Sequence, residues 1–272
     1  MTEAQCPSAP ASDADRINRR FAGVGAALGL LLWVNLFGFP LGLASSVLRK
    51  TSPRLALFLG FLAMLSVLPG MVWRAKAVWG TGWRRPFPLA RVGPGLLVWT
   101  VLCILSFVSV QFVMLSALDR FKGLPHLPNP FITIGVLGVL VGAPLAEEVV
   151  FRGYGLARIR ELAGERRALL FTALMFALAH GSWVKFPGTF LMGCFLGWLV
   201  LRTGSLWPAL LGHFANNAVA FVMTRLEASS PLDAGGMPWH HILTVGAIGL
   251  LCLVLLWSPL IRARISGLKP VT

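Results

Sequence analysis

Charge is what this sequence has least of. Only 12% of its 272 residues are Asp, Glu, Lys or Arg, about half the share that a soluble domain carries. Hydrophobic residues make up 56%, with a mean hydropathy of +0.76. So little charge cannot cover a folded surface facing water, and the apolar excess requires lipid as its solvent. Metal-binding cysteine patterns are also missing. Cys6, Cys103, Cys194 and Cys252 lie in four different segments with no CxxC spacing, which argues against a disulfide framework or a cysteine zinc site. HExxH, the helix motif of many zinc peptidases, is absent, and no internal repeat recurs at a fixed period. The net charge of +14 is spread between apolar runs rather than gathered on one soluble face. It therefore speaks for membrane topology and against nucleic acid as a partner.

What the chain has in quantity is apolar runs of about 20 residues, each able to cross a hydrocarbon core of roughly 30 Å. Residues 1–20, with Pro7, Pro10 and many small polar residues, lack such periodicity and read as a mobile cytoplasmic tail. Candidate spans follow at 21–46, 55–73, 94–117, 131–151, 168–184, 187–202, 205–225 and 241–258. Residues 21–272 are thus expected to form one all-α, polytopic membrane domain of about eight spans. The first run follows Arg19 and Arg20 like a signal peptide, but its length favours a retained helix, with a weak cleavage signal at Ala44 to Ser46. Trp73, Trp79 and Trp83 beside Arg74, Arg84 and Arg85 have the composition of an interfacial belt. Gly193 and Gly197 have the small-xxx-small spacing of close helix packing.

An ionisable group inside a membrane costs a few kcal/mol or more, so each one needs a partner or a purpose. Most of the apolar runs have none. The exceptions are Glu147, Glu148 and Arg152 in the fourth run, His180 in the fifth, and His213, Asn216 and Asn217 in the seventh. Glu148 and Arg152 stand four apart with the acid first, the better orientation for an intrahelical ion pair, whereas Glu147 points about 100° away. Glu148 then reads as the structural acid and Glu147 as the one left available to take up a proton. Pro144 removes a helical N–H close by. Phe176 and His180, like His213 and Asn217, are four apart and share a helical face. If these helices converge, a carboxylate, two imidazoles and an amide meet in one cavity.

The three pairs stand in order as EExxxR (Glu147, Glu148, Arg152), FxxxH (Phe176, His180) and HxxxN (His213, Asn217). In this the chain resembles the CAAX-protease and bacteriocin-processing family of intramembrane peptidases, also called Abi or Rce1-like, over residues 131–225. The resemblance implies an intramembrane endopeptidase acting on a membrane-associated protein or peptide. It implies that Glu147 is the catalytic carboxylate, that His180 helps it to activate water, and that His213 and Asn217 stabilise the oxyanion. Glu148, Arg152 and Phe176 take supporting places. Members of the family are often described as metalloproteases, and Glu147, His180 and His213 could hold zinc; Asn is a poor zinc ligand, so the cofactor stays open.

Plainer readings exist beside these. A lone membrane histidine is commonly interhelical glue, and Asn216, off the pattern, could simply bond a neighbouring helix. His126 sits in a loop between Pro125 and Pro128 without ligand spacing, and His240 and His241 read as a solvated helix start after a loop containing Gly235 and Gly236. Arg158, Arg160, Arg166 and Arg167 could meet anionic lipid, although topology already accounts for them. Two other functions compete with proteolysis. One is a transporter using Glu147 and the histidines as a proton or cation relay, which inverted repeats would accompany. The other is a catalytically silent immunity or scaffold protein of the same fold.

With eight spans, 17 Lys and Arg fall on the side of the N-terminus and 7 on the other. The positive-inside rule then places both termini in the cytoplasm of a multi-pass cell-membrane protein. Reporter fusions at each end should both be active in their cytoplasmic form; a C-terminal reporter active only outside would overturn the eight-span topology.

Overall fold

The structure, a computed structural model, describes residues 21–30, 50–117 and 138–229, with short stretches among 32–48 and 244–254. The apolar runs form helices, and among the described residues the only extended pairing is an isolated antiparallel bridge between Leu89 and Ser205. We label the helices α1 (Phe21–Leu30), α2 (Pro53–Leu65), α3 (Val67–Trp79), α4 (Pro94–Ala117), α5 (138–163), α6 (Glu165–Ala179), α7 (Phe186–Thr203) and α8 (Trp207–Ser229). Leu55–Gly82, Pro94–Gln111 and Phe186–Thr203 are long and apolar enough to cross a membrane. The expected count of about eight spans thus has three qualifying helices among the described residues.

Several boundaries differ from the sequence reading, each for a local reason. The run expected to stop at residue 73 continues to Trp79 and breaks instead at Ser66. Pro69 explains this break, because it has no N–H for the carbonyl of Leu65 and its ring crowds that carbonyl. The fourth run does not end at residue 151 but continues to Ala163, so Arg158 and Arg160 belong to a helix rather than a loop. Its backbone is π-helical over Gly138–Gly142 and again over Glu148–Gly155, with a short α segment between them that contains Pro144. A π turn is a common accommodation inside a helix and recurs at functional sites. The expected fifth span is shorter than 168–184: α6 closes at Ala179, where Gly181 takes φ +60 and its N–H bonds the Leu178 carbonyl at 3.0 Å. That left-handed residue is the usual stop for a helix. Most of the run at 241–258, and His126, His240 and His241, lie outside the described residues, as do Cys6 and Cys252.

Packing brings the motif helices together. α6 lies along α7 and α8 along α4, while α5 contacts α3, α6 and α8. α6 and α7 approach backbone to backbone at Gly193, where an added Cβ would stand 3.0 Å from both Cα and Cβ of Ala173. One turn further, a Cβ at Gly197 would meet Leu169 Cδ1 at 2.7 Å. The small-xxx-small pair therefore serves close packing. The loop after α3 folds back over α5 and is held by Leu206 N–H donating to Pro88 O at 2.8 Å.

These two glycines should differ in tolerance. Gly193→Leu meets backbone and should cost about 1–3 kcal/mol as overpacking, whereas Gly197→Ala meets only the end of a flexible leucine and should stay close to wild type. Thermal unfolding in detergent measures both; a Gly193→Leu protein as stable as wild type would remove this contact from the fold.

Candidate active site

Glu148 opens the second π segment of α5 and is fully buried. Its Oε1 accepts a hydrogen bond from Arg152 Nη1 at 2.8 Å, so the pair expected from the i, i+4 spacing forms inside the protein. The same oxygen also lies 2.8 Å from Nδ1 of His213 on α8. A carboxylate can only accept, so Nδ1 carries the proton in that bond. This contact, 65 residues apart in sequence, is one that spacing along a single helix could not reveal. Glu148 is thus paired twice, once within its own helix and once across to α8.

Glu147 is placed differently. Its side chain keeps 31% of its exposure, yet Oε2 is buried and has no hydrogen-bond partner among the described residues. His213 Nε2 approaches that oxygen to 3.7 Å, beyond hydrogen-bond length. His213 therefore stands between the two carboxylates, fixed by one and facing the other.

Phe176 occupies the centre of this arrangement from α6. Its ring is edge-on to Phe151, His180 and His213, at centroid distances of 5.5, 4.7 and 5.6 Å. The Arg152 guanidinium carbon lies 4.1 Å from the same ring centroid, a cation–π geometry. That contact matters because Arg152 is 1% exposed and its Nε and Nη2 have no hydrogen-bond partner among the described residues. Phe176 was read from sequence only as a support for His180; the structure adds Arg152 and His213 to its neighbours.

His180 caps α6 and is exposed, because Gly181 ends the helix immediately after it. Its Nδ1 lies 2.8 Å from the Phe176 carbonyl. A carbonyl accepts, so Nδ1 holds the proton and Nε2 is the basic nitrogen of the neutral ring. No hydrogen bond joins His180 to Glu147 among the described residues. On α8, Asn216 Nδ2 donates to Asn217 Oδ1 at 3.1 Å. Among the described residues Asn216 thus bonds within its own helix, and it takes up the acceptor end of the Asn217 amide.

The histidines and glutamates also bear on the zinc question. No group of three or more His, Cys, Asp or Glu converges to hold a metal among the described residues. Glu148 Oε1 and His213 Nδ1 are bonded to each other, and among the described residues His180 does not join the two glutamates and His213 in a ligand group. The described residues do not assemble the three protein ligands that a catalytic zinc site needs.

Residues 128–219 match the family model for type II CAAX prenyl endopeptidase Rce1-like proteins. The match covers about a third of the chain and includes every motif residue from Glu147 to Asn217. The chain carries an Rce1-like region, in agreement with the resemblance drawn from the three motifs. No curated protein and no solved structure matches the chain.

Breaking the Glu148–Arg152 pair from either side leaves a buried charge unpaired. Glu148→Ala and Arg152→Ala should each cost about 3–5 kcal/mol and lower the folded yield, and Glu148→Gln with Arg152→Met together should recover part of it. Size-exclusion profiles and unfolding midpoints in detergent report this. Single variants that fold normally but are inactive would show that the pair serves the chemistry alone.

Proposed function

We propose that the protein is an intramembrane endopeptidase that hydrolyses a peptide bond in a membrane-associated polypeptide. The observation that carries the reading is the unequal placing of two adjacent carboxylates: Glu148 fully buried and bonded through Oε1 to both Arg152 and His213, and Glu147 partly exposed with Oε2 facing His213 Nε2 at 3.7 Å. The Rce1-like match over the same residues supports the reaction class.

In this reading Glu147 is the general base. Its Oε2 and His213 Nε2, 3.7 Å apart, are both within reach of one water about 2.8 Å from each. Glu147 takes a proton from that water as its oxygen attacks the scissile carbonyl carbon. The carbonyl oxygen gains the negative charge and needs donors already in place. Asn217 supplies one: its Oδ1 is held by Asn216, which fixes the plane of the amide and which end donates. His213 is the second, with a condition that its pairing imposes. Because Nδ1–H is given to Glu148, Nε2 donates only when the ring is an imidazolium; the neutral ring instead accepts from the water. Glu148 thus positions His213 much as a buried carboxylate orients the imidazole of a catalytic triad. His180, at the exposed end of α6 with Nε2 basic, joins Glu147 in activating water and carries protons to and from the site. The proton taken up is returned to the leaving amine, which completes hydrolysis. A proton-relay transporter would use the same acid, but the resemblance and the match both favour proteolysis.

Glu147→Gln keeps shape and hydrogen bonding but cannot accept the proton, so activity should vanish while unfolding in detergent stays unchanged. His180→Ala should do the same, and Asn217→Ala should lower the rate by about 10²–10³ as the loss of one oxyanion donor. His213→Ala should be severe in rate, with some loss of stability because Glu148 loses a partner. The assay compares membrane-protein termini from cells with and without the Glu147→Gln protein, then cleavage of the substrate so found, with a chelator in parallel. Cleavage by Glu147→Gln at close to the wild-type rate would remove Glu147 from the mechanism and put the transporter and scaffold readings ahead; loss of wild-type cleavage with the chelator would reinstate a metal.

A further inference from the structure

The strap that follows α3 is a run of overlapping turns, in which the N–H groups of Trp83, Arg85 and Phe87 donate to the carbonyls of Gly80, Gly82 and Arg84. It ends on the bridge between Leu89 and Ser205 and on the Pro88 carbonyl, which accepts from Leu206 N–H at 2.8 Å. Leu206 is buried, and its own carbonyl accepts from Leu210 N–H at 2.9 Å in the first turn of α8. The strap thus holds the start of α8. On its other side it lies against α5. A Cβ added at Gly153 would stand 2.8 Å from Phe87 Cδ1 and 3.1 Å from the Pro86 carbonyl oxygen, so the absence of a side chain there lets the strap approach this closely.

Both grips lie in line with the bond between Glu148 and His213. Gly153 stands five residues after Glu148 in the π-helical segment Glu148–Gly155, where backbone bonds join residues five apart, so the two are about one turn from each other on one face. Leu206 stands seven residues before His213, about two turns of an α-helix and again on one face. α5 and α8 are therefore linked twice along the same pair of faces. The strap joins them at Gly153 and Leu206, and His213 Nδ1–H joins them by donating to Glu148 Oε1 at 2.8 Å. The second link is short and directional. A slip of about 1 Å between the helices would stretch it beyond hydrogen-bond range, and a clamp on the same faces, one to two turns away, opposes that slip.

We propose that Phe87, on the strap of residues 86–89, is a positioning residue that sets the separation of α5 and α8 at which His213 bonds Glu148. Its consequence for catalysis rests on the peptidase reading, whereas the clamp on His213 does not.

The test uses the full chain in detergent, with isotope-labelled histidine and magnetic resonance as the readout. His213 Nδ1–H, bonded to a buried carboxylate, should give a proton signal well downfield of an ordinary imidazole N–H, assigned by its loss in His213→Ala. Phe87→Ala leaves the strap loose over Gly153, and Gly153→Ala pushes the ring and the Pro86 carbonyl away, so each should move this signal upfield. Phe87→Leu keeps an apolar side chain against Gly153 and should hold the signal close to wild type. Combining Gly153→Ala with Phe87→Ala puts the new methyl where the ring stood and should return the signal part of the way. For cleavage of the substrate identified from membrane-protein termini, Phe87→Ala should lower kcat by about 10–10²-fold with KM little changed, and Phe87→Leu should restore it. Should Phe87→Ala not fold, Gly153→Ala carries the same two readouts. A lower unfolding midpoint with the His213 signal unmoved would reduce the strap to packing and overturn the proposal, as would a wild-type protein without the downfield signal. Movement of the signal in a protein that cleaves no peptide would uphold the clamp and remove the peptidase reading instead.

Discussion

The carboxylate of Glu148 bonds two donors through one oxygen, Arg152 from its own helix and His213 from α8. In a setting where charge is costly, each member of this trio depends on the others. Arg152 without Glu148 is a buried cation facing an aromatic ring, and His213 without Glu148 loses the group that fixes its proton on Nδ1. The trio also ties α5 to α8, so the registry of two helices far apart in sequence is set at the point where the proposed chemistry takes place. Buried ion pairs are weak evidence for stability in themselves, but one that also orients a reacting side chain has a reason to be there.

Phe176 gives that trio its third wall. Apolar on its edges and electron-rich on its face, it accepts the guanidinium over the ring and the imidazoles at the rim. The helix that carries it stops one turn later, because Gly181 is left-handed, and His180 consequently sits at an exposed end with its ring turned back onto Phe176. Close approach of α6 and α7 at Gly193 holds this helix in position. The glycine at 193 and the imidazole at 180 are in this way connected through the packing of a single helix.

Adjacent acids in a sequence invite the idea of equivalent roles, and their surroundings here separate them. Glu148 has its charge matched and its position fixed. Glu147 retains access and faces His213 at 3.7 Å, while each acid keeps one buried oxygen without a hydrogen-bond partner among the described residues. In the proposed mechanism Glu148 is the positioning acid and Glu147 the one that accepts the proton from water. The π-helical backbone that begins at Glu148 is part of the same local geometry.

Composition alone determined that this chain belongs in lipid and is helical, because so few charges cannot solvate its surface. The period of a helix determined that Glu148 would meet Arg152 and that Phe176 would meet His180, since partners four residues apart need nothing beyond one helix to touch. Three ordered motifs on separate apolar runs were enough to suggest the reaction class. Tertiary structure decided what no local rule reaches: that His213 spends Nδ1 on Glu148 and that Phe176 also carries Arg152. It decided, too, that α5 continues through its arginines and that one strap reaches both Gly153 and Leu206. Contacts across 65 residues depend on how helices are placed against one another, and that placement comes from glycine approaches, proline breaks and π turns whose combined effect a one-dimensional pattern does not encode.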